Sequence, residues 1–445
     1  MFLKTSVTYR EIWQISLPII AGSAIENIIN IIDTAFLGRV NEIALGAAAI
    51  GGIFYLAFIM LGWGFGIGAQ IIISRRYGES NFKQIGKTFQ HTAYFMFPLS
   101  IIILISVVTG EKIFFHRFLK SQVVNSAVNQ FISIRIWGIL FAYANILFRS
   151  FFIGILRTRI LGYGSALIAV VTIILDYTLI FGHFGFKPMG IVGAAIASVS
   201  AEIVGGIYFF MYLLKKVDLA RYGLSVLHKF DGTHLKGVMR TAAPVMFQFF
   251  ISFTGWFIFF LLIEHVGQVS LAASNIVRSL YMIILLPLWG YASVCSTFAS
   301  YKIGRKETEE VIPIVLKIIT LGLLSIFPLV CLCNVFSYNI LRFYTDNIPL
   351  INAGKPILHV ISISSVLLVI SFVLFNCVAG VGKTGITLIF ETIVISAYVS
   401  WTYILVSSGV QNISLIWCAE ILYGLLMGSM SGLYLRFGKW KYVKV

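Results

Sequence analysis

Six carboxyl side chains, Glu26, Asp33, Asp176, Glu202, Glu391 and Glu420, stand inside stretches of this 445-residue chain that are otherwise strongly apolar. An acid in hydrocarbon costs about 2.5–3.5 kcal/mol on insertion scales, so each requires a partner or a task. Four of the six lie in the first half, where helical spacing gathers them. Ser23, Glu26, Asn30 and Asp33 follow i, i+3, i+7, i+10, which is one face of a helix. Thr172 and Asp176 are four residues apart, as are Ser198 and Glu202. Lipid rejects such oxygen-bearing stripes, so they should face one another or a wet cavity. Carboxylates gathered in a dry place need protons or a bound cation to neutralise them. Glu26, Asn30, Asp33, Thr172, Asp176, Ser198 and Glu202 are therefore a candidate cation-binding and coupling set. Hard oxygen ligands suit sodium, with Asp33 and Asp176 as the acids; a proton needs only the carboxyls. The residue pattern leaves both ions open.

The second half offers different chemistry. Gln248, Trp256, Asn275, Arg278, Asn376 and Glu391 are its polar or amphipathic residues within apolar runs, and they are candidates to line a substrate cavity. Arg278 and Glu391 carry opposite charges, and one arrangement open to them is an ion pair, since a lone buried charge is the costly state. Of the 38 Phe, 20 Tyr and 8 Trp, most fill cores or interfacial belts. Trp63, Trp256, Trp289 and Tyr177 are candidates for cation–π contact with an organic cation.

The elements that must position these residues are membrane-spanning helices. The chain is 59% hydrophobic and 11% charged, less than half of the roughly 25% usual in soluble domains. Apolar runs of spanning length recur near 13–37, 45–74, 91–110, 127–148, 161–182, 191–214, 241–263, 271–300, 312–335, 353–378, 386–407 and 414–435. Barrel strands would alternate with period 2, and runs such as Ile101 to Val108 do not. The fold class is thus an all-α membrane protein of twelve helices. The net charge of +16 follows topology: the tails, Lys4 and Arg10 among them, and alternate loops hold 23 of the 33 Lys and Arg. Basic loops stay in the cytoplasm, so both termini are expected there. Nucleic acid is not an expected partner.

Shifted by 226 residues, the chain matches itself. Pro18 falls on Pro244, Leu45 on Leu271, Trp63-Gly64 on Trp289-Gly290, Gly78 on Gly304, Gly154 on Gly380 and Tyr177 on Tyr403. An even number of spans per half makes these parallel repeats about an axis along the membrane normal. The expected division is a lobe of residues 1–214, a linker of 215–240 and a second lobe of 241–445.

Several motifs carry no chemistry. Gly380-Val381-Gly382-Lys383-Thr384 imitates the end of a phosphate loop, but Cys377 stands where the motif needs Gly and no strand precedes it, so ATP is not expected. Five cysteines and seven histidines show no metal-ligand or disulfide spacing. No nucleophile–base grouping appears, so an enzyme is not expected.

The segments Ser16-Leu17-Pro18 and Ile32 to Arg39, Gly66-Ile67-Gly68 with Arg76 to Glu79, Asp176 to Gly182, and Gly190 to Ala195 resemble the MATE (multidrug and toxic compound extrusion) family of the MOP flippase superfamily. The resemblance covers essentially the whole chain. It implies a monomeric antiporter of the inner membrane that exports amphipathic, usually cationic, small molecules against an inward proton or sodium gradient, without a cofactor. By the same resemblance Asp33 and Asp176 match acidic positions of a cation site. Ser198 matches a hydroxyl position usually filled by Thr, and Thr172 stands where Asn is common. Some members carry a Glu in the seventh helix and an Asp in the tenth. Here Ser252 takes the first position and the tenth span has no acid, which places coupling in the first half. Ion binding would favour one arrangement of that half, bending the first helix near Pro18 or Gly22. The alternatives are a flippase for lipid-linked saccharides or an exporter of one metabolite.

Overall fold

The computed structural model describes residues 7–119 and 121–441, together with the side chains there except those of Lys112, Ile113 and Phe118. Lys4, counted above among the basic tail residues, lies outside the described residues. All regular structure among them is helical. The helices are α1 (Tyr9–Val40), α2 (Glu42–Gly78), α3 (Phe82–Phe118), α4 (Gln122–Arg135), α5 (Ile139–Gly154), α6 (Arg159–Phe181) and α7 (Ile191–Lys216) in the first half. The second half holds α8 (Gly232–Glu264), α9 (Gln268–Gly304), α10 (Val311–Val335), α11 (Ser337–Tyr344), α12 (Ile348–Gly380), α13 (Thr384–Ser407), α14 (Ile413–Trp417) and α15 (Ala419–Phe437). Twelve spans are long and apolar enough to cross a bilayer, with α4–α5 forming one and α14–α15 another. A helix is the natural choice because it satisfies its own backbone where no water is available.

Short polar residues open several of these helices. The Asn41 side chain accepts from the Ala44 backbone N–H at 2.7 Å, and Asn412 does the same for Ser414 and Leu415. Both supply an acceptor to donors that a helix start leaves unpaired. The helices run past the predicted spans where their polar ends find protein partners. α3, for example, begins nine residues before the predicted 91 because its first turns pack on the segment between α7 and α8. There Gln90 Nε2 donates to the Val226 carbonyl (2.9 Å), His228 N–H donates to Gln90 Oε1 (2.8 Å), Asp231 N–H donates to His91 Nε2 (2.9 Å), and Lys87 pairs with Asp231 (2.6 Å).

The 226-residue repeat extends to backbone geometry. α2 and α9 are each 37 residues long and begin and end in that register. The left-handed residues recur too: Ser80 (φ 57°) with Lys306 (φ 63°), and Leu156 (φ 60°) with Gly382 (φ 90°). Only at the second pair does one copy use glycine, the residue that adopts this conformation without strain. One departure from the repeat lies beside the intramembrane acids. Between α4 and α5 lies a 3-10 turn, Ile136–Gly138, whereas the matching Ser362 to Ser364 sit inside the unbroken α12.

By packing, the chain forms two units. One is Ala21–Ala242; the other joins the residues up to Ile20 with those from Ala243 onward. The dividing lines fall inside α1 and α8, close to their Pro18 and Pro244, and the 215–240 segment packs with the first unit. Within the second unit the start of α1 packs on α9, with Ile20 against Gly290, and Lys317 Nζ of α10 donates to the Val7 carbonyl at 2.8 Å. Within the first, Ala242 near the start of α8 packs against Gly68 of α2.

Candidate functional site

In the first unit, α1 comes close to α6 at two places. At one end Gly22 sits so close to Ser165 that an added Cβ would be 3.0 Å from the Ser165 hydroxyl. Eleven residues further along both helices, about 16 Å at 1.5 Å per residue, Asp33 meets Asp176. Their carboxyl groups are close enough to interact with each other. Asp176 is fully buried, and among the described residues no N–H or O–H donor reaches either of its oxygens. Oδ1 of Asp33 likewise has no donor. Two carboxylates in contact repel; the contact is favourable when a positive charge, a proton or a cation, lies between them.

Glu202 and Glu26, the other two acids that the sequence places within spans of the first unit, are satisfied differently. Glu202 on α7 receives a two-pronged ion pair from Arg135 on α4, with Nη2 to Oε1 at 2.6 Å and Nη1 to Oε2 at 2.9 Å. The Tyr55 hydroxyl lies 3.3 Å from both oxygens, and the guanidinium lies 3.9 Å from the Tyr55 ring centroid. Glycine at position 138 makes room for this: a Cβ there would collide with Glu202 Oε2 and stand 2.6 Å from Arg135 Nη1. Glu26 on α1 is paired by Arg149 on α5 at 2.6 Å, with Trp63 5.2 Å from that guanidinium and the Ser165 hydroxyl 3.5 Å from the carboxylate. The predicted seven-residue set therefore separates. Asp33 and Asp176 form one carboxyl pair, while Glu202 and Glu26 belong to two ion pairs. Thr172, buried one turn from Asp176, donates its hydroxyl to the Ile168 carbonyl (2.9 Å). Ser198 is half-buried without a hydrogen-bond partner among the described residues, and Asn30 is exposed.

The second unit holds Glu391 and Glu420, the two acids within its spans, by neutral donors. Glu391 on α13 accepts from the Ser252 hydroxyl and, at 3.1 Å to each oxygen, from Tyr423. Glu420 on α15 accepts from Tyr281 (2.8 Å), Tyr398 (3.0 Å) and Trp256 Nε1 (3.3 Å). The pairing of Arg278 with Glu391 is not what the structure shows: Arg278 stacks 5.1 Å over Phe260, and hydroxyl donors take its place at the carboxylate. The amides of Asn275 and Asn376 bond back to Leu271 and Phe372 in their own helices, and Oε1 of Gln248 is buried without a donor. Trp289 packs edge-on against Phe372, and Tyr177 stacks on His183. Pro18 lies inside α1, one turn before Gly22.

Sequence reasoning missed Arg149, Tyr55, Tyr281, Tyr398 and Tyr423. It gave Arg135 no role. The available signals were an arginine at the very edge of an apolar run and tyrosines at matching repeat positions, Tyr55 and Tyr281.

Comparison with known proteins agrees with this architecture. A "Probable multidrug resistance protein NorM" of Thermotoga maritima is 22% identical over 437 residues, which is 97% of this chain and 93% of that protein. The "Multidrug resistance protein MdtK" of Proteus mirabilis is 21% identical over 362 residues, 78% and 77% of the two chains. Among solved structures, a MOP superfamily transporter from Pyrococcus furiosus, described as having a binding pocket of reversed polarity, superposes with a TM-score of 0.88 at 17% identity, covering 98% of this chain and 97% of that one. An outward-facing multidrug resistance MATE family transporter also gives 0.88 at 17% identity, covering 97% and 96%. The MatE family model matches residues 18–178 and again 244–404, the same 226-residue register that the repeat shows. Matched twice over most of its length, the chain belongs to the MatE family and is a multi-pass membrane transporter rather than an enzyme.

Proposed function

We propose that this transporter exports amphipathic, cationic small molecules from the cytoplasm across the inner membrane in exchange for an inward-moving cation, and that Asp33 and Asp176 are where that cation binds. One observation carries the reading. In the first unit, Glu26 and Glu202 each have a guanidinium partner, while the buried Asp176 has only the carboxyl of Asp33. An intramembrane acid left in this state is a site for a mobile positive charge. The names of the relatives, multidrug resistance proteins, support the substrate class. The basic bias of alternate loops supports cytoplasmic termini. Asn30 and Asp33 share α1 with Pro18, which removes a backbone bond and lets the helix bend. MATE structures described as straight and bent support a fold that adopts more than one conformation.

The test is ethidium counterflow in proteoliposomes under an imposed pH or sodium gradient. Gradient-driven counterflow is expected for the native chain. Asp33→Asn and Asp176→Asn are each expected to lower it at least about a hundredfold while the protein still inserts and elutes as a folded species, since neither amide can release a bound proton. Normal driven transport by either folded variant would sink the assignment.

A further inference from the structure

The far end of α10 carries apolar surface into a connection where, among the described residues, nothing covers it. Near the start of α10, Lys317 donates to the Val7 carbonyl, and no further charged residue follows until Arg342. Phe336 comes 19 residues after Lys317, about 28 Å at 1.5 Å per residue, close to the roughly 30 Å of a hydrocarbon core. α10 thus crosses that core once and reaches its other edge at Phe336. As part of the ninth of twelve spans, it ends on the side opposite the start of α1 and the end of α15. At Phe336 the backbone leaves helical geometry (φ −105°, ψ 25°), and α11 starts as a separate helix.

α11 packs on α10 and α12, with Leu341 as its buried residue against Gly354 of α12. Its other side is bare. Phe343 is 89% exposed, and Phe336, two turns earlier, shares its face and is exposed too. These rings continue a stripe on α10, where Leu324, Phe327, Cys331 and Val335 follow i, i+3, i+7, i+11 and are all exposed. On a helix that crosses a bilayer, an exposed apolar stripe meets acyl chains. Tyr338 and Tyr344 are exposed beside the same face, the residue type that gathers at a lipid–water boundary. Lys355 lies 4.9 Å over the Tyr338 ring, and Arg342 stands 3.9 Å from the Asp346 carboxylate, whose side chain is almost fully exposed. A phospholipid offers an acyl chain to the rings and a phosphate to the two cations. A second copy of this face brings further cations instead.

We propose that α11 is an interfacial membrane helix, which inserts Phe336 and Phe343 among the acyl chains of one leaflet and so ties the ends of α10 and α12 to phospholipid. The proposal is independent of the ion-coupling reading. Its test is Phe343→4-trifluoromethylphenylalanine in the full-length chain, held in nanodiscs of phosphatidylethanolamine and phosphatidylglycerol. Fluorine relaxation is measured with a phospholipid that carries a nitroxide high on its acyl chain, and separately with a neutral gadolinium chelate in the water. The same label at Phe327, on the exposed stripe of α10, supplies the reference for a ring in lipid. The nitroxide lipid is expected to speed relaxation at position 343 by about fivefold more than the chelate does, as for a ring sunk just below the headgroups. Phe336→4-trifluoromethylphenylalanine is expected to behave alike, and it serves alone if the first labelled protein does not fold. Equal or stronger relaxation by the chelate places the ring in water and overturns the proposal. Protection from both reagents means that protein covers the face, and overturns it in favour of a second copy of the chain.

Discussion

Asp33 with Asp176, Glu26 and Glu202 each meet the cost of charge within a span in their own way, and the solutions predict different mutational behaviour. Breaking the Arg135–Glu202 pair from one side leaves a nearly buried charge alone. Arg135→Gln or Glu202→Gln should therefore destabilise the protein by about 3–5 kcal/mol, and the double variant by much less. A double-mutant cycle of thermal unfolding in detergent measures this, and additivity of the two losses would show that the pair is not energetically coupled. Gly138→Ala should act like a partial break of the same pair, because its methyl group takes the space of Glu202 Oε2. At this scale the sequence was informative about types and poor about partners. The insertion penalty marks Asp33 and Asp176 as out of place, and period 3.6 puts each on a polar stripe. Nothing in one chain's spacing says that Arg135 chooses Glu202, or that the Arg149 just outside a predicted span turns inward to Glu26. Those choices are made by tertiary packing between α4 and α7 and between α1 and α5.

Single elements show where local sequence and tertiary demand part company. Periodicity and length predict all twelve spans, yet cannot predict that α3 extends outward to bind the segment before α8. Within that clamp His91 accepts the Asp231 N–H at Nε2 and places its Nδ1 2.8 Å from the Lys87 carbonyl. Removing it leaves a backbone N–H without its acceptor, a loss of about 1–3 kcal/mol, so His91→Ala should raise tryptic cleavage of the 215–231 segment by about tenfold. Unchanged cleavage would mean that the other contacts hold the segment alone. Asp231 itself is held down to about 2 by the Lys87 ammonium, with the backbone N–H groups of His234 and Thr233 adding to it. A depressed carboxyl contributes stability that is complete above its ordinary range, near 4, and is lost as pH falls through about 2. Proteolytic sensitivity of this segment should therefore not change through Asp231 anywhere between about pH 5 and 8.

The whole molecule repeats its helices more faithfully than its chemistry. The register that aligns α2 with α9 also aligns Glu26 with Ser252 and Ser165 with Glu391, so the same carboxyl–hydroxyl contact occurs in both halves with the two side chains exchanged. Around it the halves diverge. Arg149 gives way to Phe375, Arg135 to Ile361 and Asp176 to Thr402, so at these matching positions the second half offers neither a guanidinium nor a partner carboxyl. Glu391 and Glu420 are instead surrounded by donors, two groups on the first and three on the second, which is how a buried acid is retained for structure. Function should follow that asymmetry. Glu391→Gln and Glu420→Gln keep one acceptor oxygen for the surrounding hydroxyls and are expected to lower the thermal midpoint while leaving the ratio of driven to undriven ethidium counterflow within about twofold of the native chain. Asp33→Asn should do the reverse, holding the midpoint and abolishing the ratio, since it removes a charge that the fold had not compensated. The measurement is one of drive per folded protein, so expression losses do not enter it. A folded Glu391→Gln protein that transports ethidium but no longer responds to the gradient would show that the two halves share the coupling step, and that hydroxyl donors alone do not mark an acid as structural.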